Sequence, residues 1–168
     1  DNKMKDYLQH ISLDCVVFGF HSNQLKVLLL RMKSTGTWAL PCGFVCEDES
    51  IEVAANRVLK ERTGLDEIFL HQFYVFSDPL RSKHNPAVYD LILSGQTYPE
   101  KSWFDKRFIS VGFYELVEFS QVEPQPDAFS DICEWINLDH IGNLMLDHNE
   151  ILQKALETLR MQLTFQPI

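Results

Sequence analysis

The stretch Trp38–Leu65, WALPCGFVCEDESIEVAANRVLKERTGL, constrains this chain more than any other. A short apolar strand ends at Pro41. A turn carrying Gly43 follows, then an acidic loop, Glu47-Asp48-Glu49. The spacing predicts a helix from Ser50 to Arg62. Ser50 is placed to cap it and Glu52 to meet its positive end. Gly64 stands where a left-handed residue closes a helix. Ile51, Ala54, Ala55, Val58 and Leu59 recur at helical spacing, so one stripe is expected to pack on a sheet.

The rest of the chain can supply that sheet. Strands are expected over 11–20, 25–31, 38–40, 70–76, 87–93, 107–117 and 132–136. Residues 1–10 read as a polar lead-in, 118–130 as a proline-containing loop, and 138–146 as a turn-rich piece. A second amphipathic helix is expected over 148–163, with Asp147 as its N-cap. The order predicts one mixed α/β (α+β) domain over residues 1–168, its mixed β-sheet sandwiched between helices. At 45% apolar and 23% charged residues, a chain of 168 can bury a full core. A net charge of -9 makes it a poor nucleic-acid binder by itself. Cys15, Cys42, Cys46 and Cys133 form no disulfide or zinc pattern and are expected to be reduced thiols. No apolar run is long enough to span a bilayer. No secretion signal is evident, so a cytoplasmic protein without a membrane partner is expected.

The residues of the opening stretch also carry a resemblance. Gly43, Glu49, Arg57, Leu59, Glu61, Gly64 and Leu65 fall on the fixed positions of the Nudix box, and the chain resembles that superfamily. The resemblance implies a Nudix fold. It also implies a helix face with three carboxylates at i, i+3 and i+4, holding Mg²⁺ or Mn²⁺ against a diphosphate. Here those positions are Val58, Glu61 and Arg62. Glu61 is the catalytic remnant. A metal would fall to Glu61 with Glu47 and Asp48, or that loop is only a solvated acidic run. Arg62 either pairs with Glu61 or Glu49 and stands in for the lost metal, or it points to solvent as a last-turn cation. Cys42 stands where many boxes have glycine. It narrows the site or faces the core. The family's usual pairing makes Glu49 and Arg57 a structural pair, and Gly43, Glu49, Arg57 and Gly64 the structural part of the box.

Beyond the box, the chain is similar to the Nudix-related transcriptional regulators. LDCVVFGF, LKVLLLR, RFISVGFYELV and the helix DHNEILQKALETLRMQL carry the likeness. It implies a sensor domain of a bacterial regulator for a small-molecule effector, a sugar or an ADP-ribose-type nucleotide, with weak or lost hydrolysis. It also implies a homodimer, and DNA contact only through a winged-helix domain outside this chain, with 164–168 starting the connector. The expected pocket lies between the box helix and the sheet. Its expected ligand-binding residues are Arg31, Trp38, Phe44, Glu61, Arg62, Phe76, Asp78, Arg81 and Arg107. Residues 81–106 are expected to cover the pocket or a partner. No cofactor is expected unless hydrolysis survives, in which case Mg²⁺ or Mn²⁺ is required. The alternative is a divergent metal-dependent hydrolase of a nucleoside diphosphate derivative, and a third possibility is an interaction domain without a ligand.

Overall fold

The structure, a computed structural model, describes residues 6–33, 35–81 and 106–165. Strand β1 (Tyr7–His21) turns into β2 (Gln24–Met32) through Ser22 and Asn23. Both turn residues have positive φ, 49° and 62°, the geometry that matches the twist of paired strands. Strands β3 (Trp38–Ala39) and β4 (Cys42–Cys46) follow. Helix α1 (Ile51–Thr63) leads on to β5 (His71–Phe76). Then come β6 (Ile109–Glu118), β7 (Ser130–Asn137) and helix α2 (His148–Phe165).

The strands form one mixed sheet ordered β3-β2-β1-β6-β5, with β4 on β1 and β7 on β2. β1 and β6 run parallel from Ile11 opposite Ile109 to Phe20 opposite Glu118. All other strand pairs are antiparallel. β1 is central and buried on both faces, which explains its nearly continuous apolar run. Leu13, Cys15 and Val17 point to the α1 side, where Ala54, Ala55, Val58 and Leu59 meet them. Val16 and Phe18 point to the α2 side and meet Ile151, Leu152, Ala155 and Leu159. Each fully buried side chain of this size stabilises the fold by about 1.5–3 kcal/mol. No described helix is long and apolar enough to cross a membrane.

The sheet, the α1 helix and the α2 helix stand where the sequence predicts them, and several boundaries differ. Residues 7–10 belong to β1, not to a lead-in, because Tyr7 pairs with Cys46 of β4. Gly43 sits within β4 opposite Leu13, so the expected turn at Gly43 is a strand. Thr164 and Phe165, expected in a connector, are the last described residues of α2. Asp147 accepts the first helical amides through its carbonyl, while its carboxylate is taken by Arg81. The expected strand at 87–93, and most of the segment expected to cover the pocket, lie outside the described residues.

Candidate functional site

Helix α1 is built by local chemistry. The Ser50 side chain accepts the Val53 amide at 3.1 Å, closing the first turn. Gly64, at φ 76°, ends the helix and returns its amide to the Lys60 carbonyl. On the sheet side the helix comes very close to β4. A Cβ at Gly43 would lie 2.7 Å from Val58, so only glycine fits under that side chain. Val58 is 2% exposed. It therefore occupies, as packing, the position where the resemblance implies a metal-binding carboxylate. Ala54, Ala55, Val58 and Leu59 of α1 pack directly on the sheet as part of the core.

Arg57 draws the remaining carboxylates together. Its guanidinium binds Glu49 at 2.6 Å, with further contacts at 3.0 and 3.1 Å. It donates to the Phe44 carbonyl at 2.6 Å and to Glu61 at 3.2 Å. Glu49 also accepts the Cys46 amide at 2.8 Å, which ties the acidic loop to the end of β4. Burial opposes the Glu49 charge, but Arg57 and the Cys46 amide outweigh it and bring the carboxyl down to about 2. Burial likewise opposes the Arg57 charge, and Glu49 more than offsets this, raising the guanidinium further.

Arg62 is held within the fold and does not simply point to solvent. Its Nη1 binds Asp127 at 2.9 Å and its Nε donates to the Cys42 carbonyl at 3.0 Å. Its guanidinium lies 4.8 Å over the Phe129 ring. Asp127 is itself fixed: its other oxygen accepts the Phe129 amide, the Ser130 amide and the Ser130 hydroxyl at 3.0–3.1 Å. Gln125 donates its amide to the Thr63 carbonyl at 2.7 Å. The segment before β7 is thus fastened over the C-terminal end of α1.

The other expected ligand residues are spread out. Phe44 packs near Tyr7 and Phe108, at 5.5 and 6.0 Å between ring centres. Arg31 is engaged bidentately by Asp131 at 2.8 and 3.0 Å. Trp38 borders an open depression at the far end of β2 and β7. Phe76 stacks among Phe73 and Tyr74 on β5. Asp78 caps its own turn by accepting the Leu80 amide. Arg81 binds Asp147 at 2.7 and 3.1 Å and is almost buried. Arg107 donates to the Ser77 carbonyl at 2.7 Å. The box residues Phe44, Glu61 and Arg57 share one place, whereas Trp38 and the Arg81 group stand in others.

Sequence reasoning missed Asp127 and a buried polar cluster around Asp14. DAFS at 127–130 carries a turn signal, an aspartate and a serine three apart, that could have pointed to Asp127. Nothing in the sequence marks the cluster. Asp14 of β1 meets His148 Nε2 at 3.1 Å and accepts from the Ser110 hydroxyl. Burial opposes its charge, and His148 and Ser110 together hold the carboxyl below its usual range. The Leu40 amide donates to His148 Nδ1 at 3.0 Å. That amide fills the Nδ1 lone pair, so the ring is neutral with its proton on Nε2, facing Asp14.

Among the described residues two places could be asked to hold a metal, and neither fits as it stands. In the box, Glu49 and Glu61 are committed to Arg57, Val58 offers no oxygen, and Glu47 and Asp48 are exposed on the loop. A hard divalent cation needs converging oxygens, and Arg57 stands between the two candidates. Asp14, Cys42 and His148 do bring ligand atoms within 4.8 Å of one another. A metal there would need the Nε2 lone pair, and the Leu40 amide at Nδ1 leaves the ring proton on Nε2.

The sequence profile of the NUDIX domain matches residues 8–159. The chain is 27% identical over 156 residues to the "ADPR responsive transcriptional repressor NtrR" of Acinetobacter baylyi, covering 89% of this chain and 54% of that protein. It thus spans about half of that repressor's length. It is 26% identical over 153 residues to the ADP-ribose pyrophosphatase of Methanocaldococcus jannaschii, covering 89% of this chain and 77% of that enzyme. Among solved structures it resembles the NUDIX domain of Shewanella oneidensis NrtR complexed with ADP ribose, with a TM-score of 0.70 and 25% identity. That match covers 90% of this chain and 89% of the other. The mixed sheet flanked by two helices is the architecture these proteins share.

Proposed function

The chain belongs to the NUDIX domain family, and from that premise we propose that it is the ligand-sensing part of a bacterial transcriptional regulator, with hydrolysis weak or lost. The observation that carries this reading is that two of the three helix carboxylates are replaced, with Val58 buried as packing and Arg62 held by Asp127. A box that keeps its geometry but offers one helix carboxylate of three holds a divalent cation poorly. The similarity to an ADP-ribose-responsive repressor and to an ADP-ribose-bound NUDIX domain supports an ADP-ribose-type nucleotide as effector. In this reading the protein is a cytoplasmic homodimer. DNA contact falls to a winged-helix domain outside these residues, and no metal cofactor is required.

Thermal shift and calorimetry with ADP-ribose, and with arabinose as the sugar arm, test the effector. A ligand that binds only the folded state raises the melting temperature in proportion to its occupancy. ADP-ribose is expected to bind equally in Mg²⁺ and in EDTA. Absence of any stabilisation by either compound would sink the sensor reading. Sedimentation tests the dimer.

The second reading is a divergent hydrolase, favoured by the similarity to an ADP-ribose pyrophosphatase. Turnover of ADP-ribose in Mg²⁺ or Mn²⁺ that disappears in Glu61→Gln would establish it over the first.

A further inference from the structure

We propose that the outer edge of β5 and the adjoining flank of α2 form one apolar surface on which a second copy of this chain packs across a two-fold axis. The proposal rests on the homodimer of the reading above and names the surface it uses. β5 ends the strand order of the sheet, and among the described residues it pairs with β6 alone. It reads HQFYVF, without aspartate, glutamate, lysine, arginine or proline, in a chain of 24 acidic and 15 basic side chains. Exposed edges are normally blunted by charges or proline. Here a bulge between Gln72 and Tyr74 limits strand addition, which leaves side-chain packing as the mode of contact.

Two contacts fix how α2 lies along this strand. Lys154 Nζ sits 4.6 Å over the Tyr74 ring. The Tyr114 hydroxyl donates to Gln162 Oε1 at 2.6 Å, and Tyr114 stands opposite His71. The helix therefore runs antiparallel to β5. Met161 and Phe165 follow Lys154 by about two and three turns, so they share its strip of the helix. From Lys154 to Phe165 the helix rises about 16 Å. From Tyr74 back to Phe69 the extended chain covers about the same length. Phe165 thus comes level with Phe69. Phe69 is 83% exposed, Phe165 80%, Met161 63% and Tyr74 45%. Ile68 and Leu70, on either side of Phe69, pack on the core beneath α1, and Phe69 does not join them.

Area and charge single out a second copy as the occupant. At these exposures, Phe69, Tyr74 and Phe165 of two copies offer roughly 600–1,000 Å², before Met161 and the rim are counted. A stable interface buries roughly 1,200–2,000 Å² in total, so a partner bringing the same patch is of the right size. The net charge of -9 makes two copies repel one another over most of their surfaces. This patch is an exception, because the charge lying on it is the positive Lys154. Glu150 and Glu157 stand one turn to either side of Lys154 on α2. A two-fold axis offers them to the Lys154 of the other copy at the rim, while the apolar side chains meet at the centre.

The test is sedimentation velocity on the whole chain at tens of micromolar. The wild type is expected to be a dimer. Met161→Glu/Phe165→Glu puts two carboxylates on the strip without entering the core, and should weaken the dimer about a hundredfold. Phe69→Glu should act in the same way from the strand side. Val53→Glu, at an exposed position of α1 on the other face of the sheet, should leave the dimer intact. Circular dichroism should show all three variants folded. A monomeric wild type, which would assign the surface to an unlike partner, overturns the proposal. So does a dimer that survives both Met161→Glu/Phe165→Glu and Phe69→Glu, or one that Val53→Glu dissociates equally. Thermal shift with ADP-ribose is read separately on the wild type. A dimer that ignores ADP-ribose leaves this surface standing and removes the effector, and a monomer that binds it does the reverse.

Discussion

Arg62 and Asp127 meet at 2.9 Å between the last turn of α1 and the turn that opens β7. Their side chains are 18% and 12% exposed. The pair fastens the box helix to a segment that lies 65 residues further along the chain. It puts a structural ion pair where the resemblance implies a metal ligand. Arg62→Ala is expected to cost about 2 kcal/mol, part of it from the Asp127 charge left behind. Asp127→Asn should cost less than Asp127→Ala, since its amide oxygen can still accept from Phe129 and Ser130. A double-mutant cycle by urea unfolding measures the coupling, which is expected at about 1–2 kcal/mol.

Restoring the box carboxylates should not restore an enzyme. Val58→Glu places a charge in the core beneath Gly43, where no room or partner is provided. A loss of about 3 kcal/mol or more is expected. The Val58→Glu/Arg62→Glu variant should show a lowered melting temperature and no Mg²⁺-dependent turnover of ADP-ribose. Turnover in that variant would show that the surrounding shell is still competent.

Glu49 predicts an acid limb of stability. Its carboxyl falls from an ordinary 4.5 to about 2 in the folded protein. The unfolded chain therefore takes up this proton first as pH drops. The stabilisation is complete above about pH 4.5, declines from there, and is gone below about pH 2. After allowance for solvent screening the amount is on the order of 1–2 kcal/mol. Urea midpoints between pH 6 and pH 3 should fall, and Glu49→Gln should flatten that dependence.

His148→Ala should be among the most damaging substitutions outside the aliphatic core. It removes the acceptor of the Leu40 amide and the donor to a buried carboxylate together. A cost of about 3–5 kcal/mol is expected. Asp14→Asn combined with His148→Ala should recover part of it, because the uncompensated charge is gone. Chemical denaturation of the three variants checks this.

What was legible in the sequence follows physical periodicity. Both helices show their apolar stripes, and Ser50 and Gly64 declare the ends of α1. β1 was legible as a strand, although its burial on both faces hides any alternation. The early start of β1 at Tyr7 was not, since Tyr7–His10 gains strand form only by pairing with β4 and nothing local requires it. The Glu49–Arg57 pairing was anticipated through a resemblance. The partner of Arg62 was not, because an ion pair between residues 62 and 127 leaves no trace in local pattern. The same holds for Asp14, Ser110 and His148, which come from three different elements. Spacing along a chain reports neighbours on one helix or strand, and side chains that meet across the fold fall outside its reach.

Two arginines carry a consequence for how this domain can change. Arg81 donates to the Phe108 carbonyl at 3.3 Å while gripping Asp147, and Arg107 donates to the Ser77 carbonyl. The two ends of the 82–105 stretch are thereby stapled together on the body of the protein. Substituting either arginine is therefore expected to loosen the 77–81 turn and the approach to β6 together.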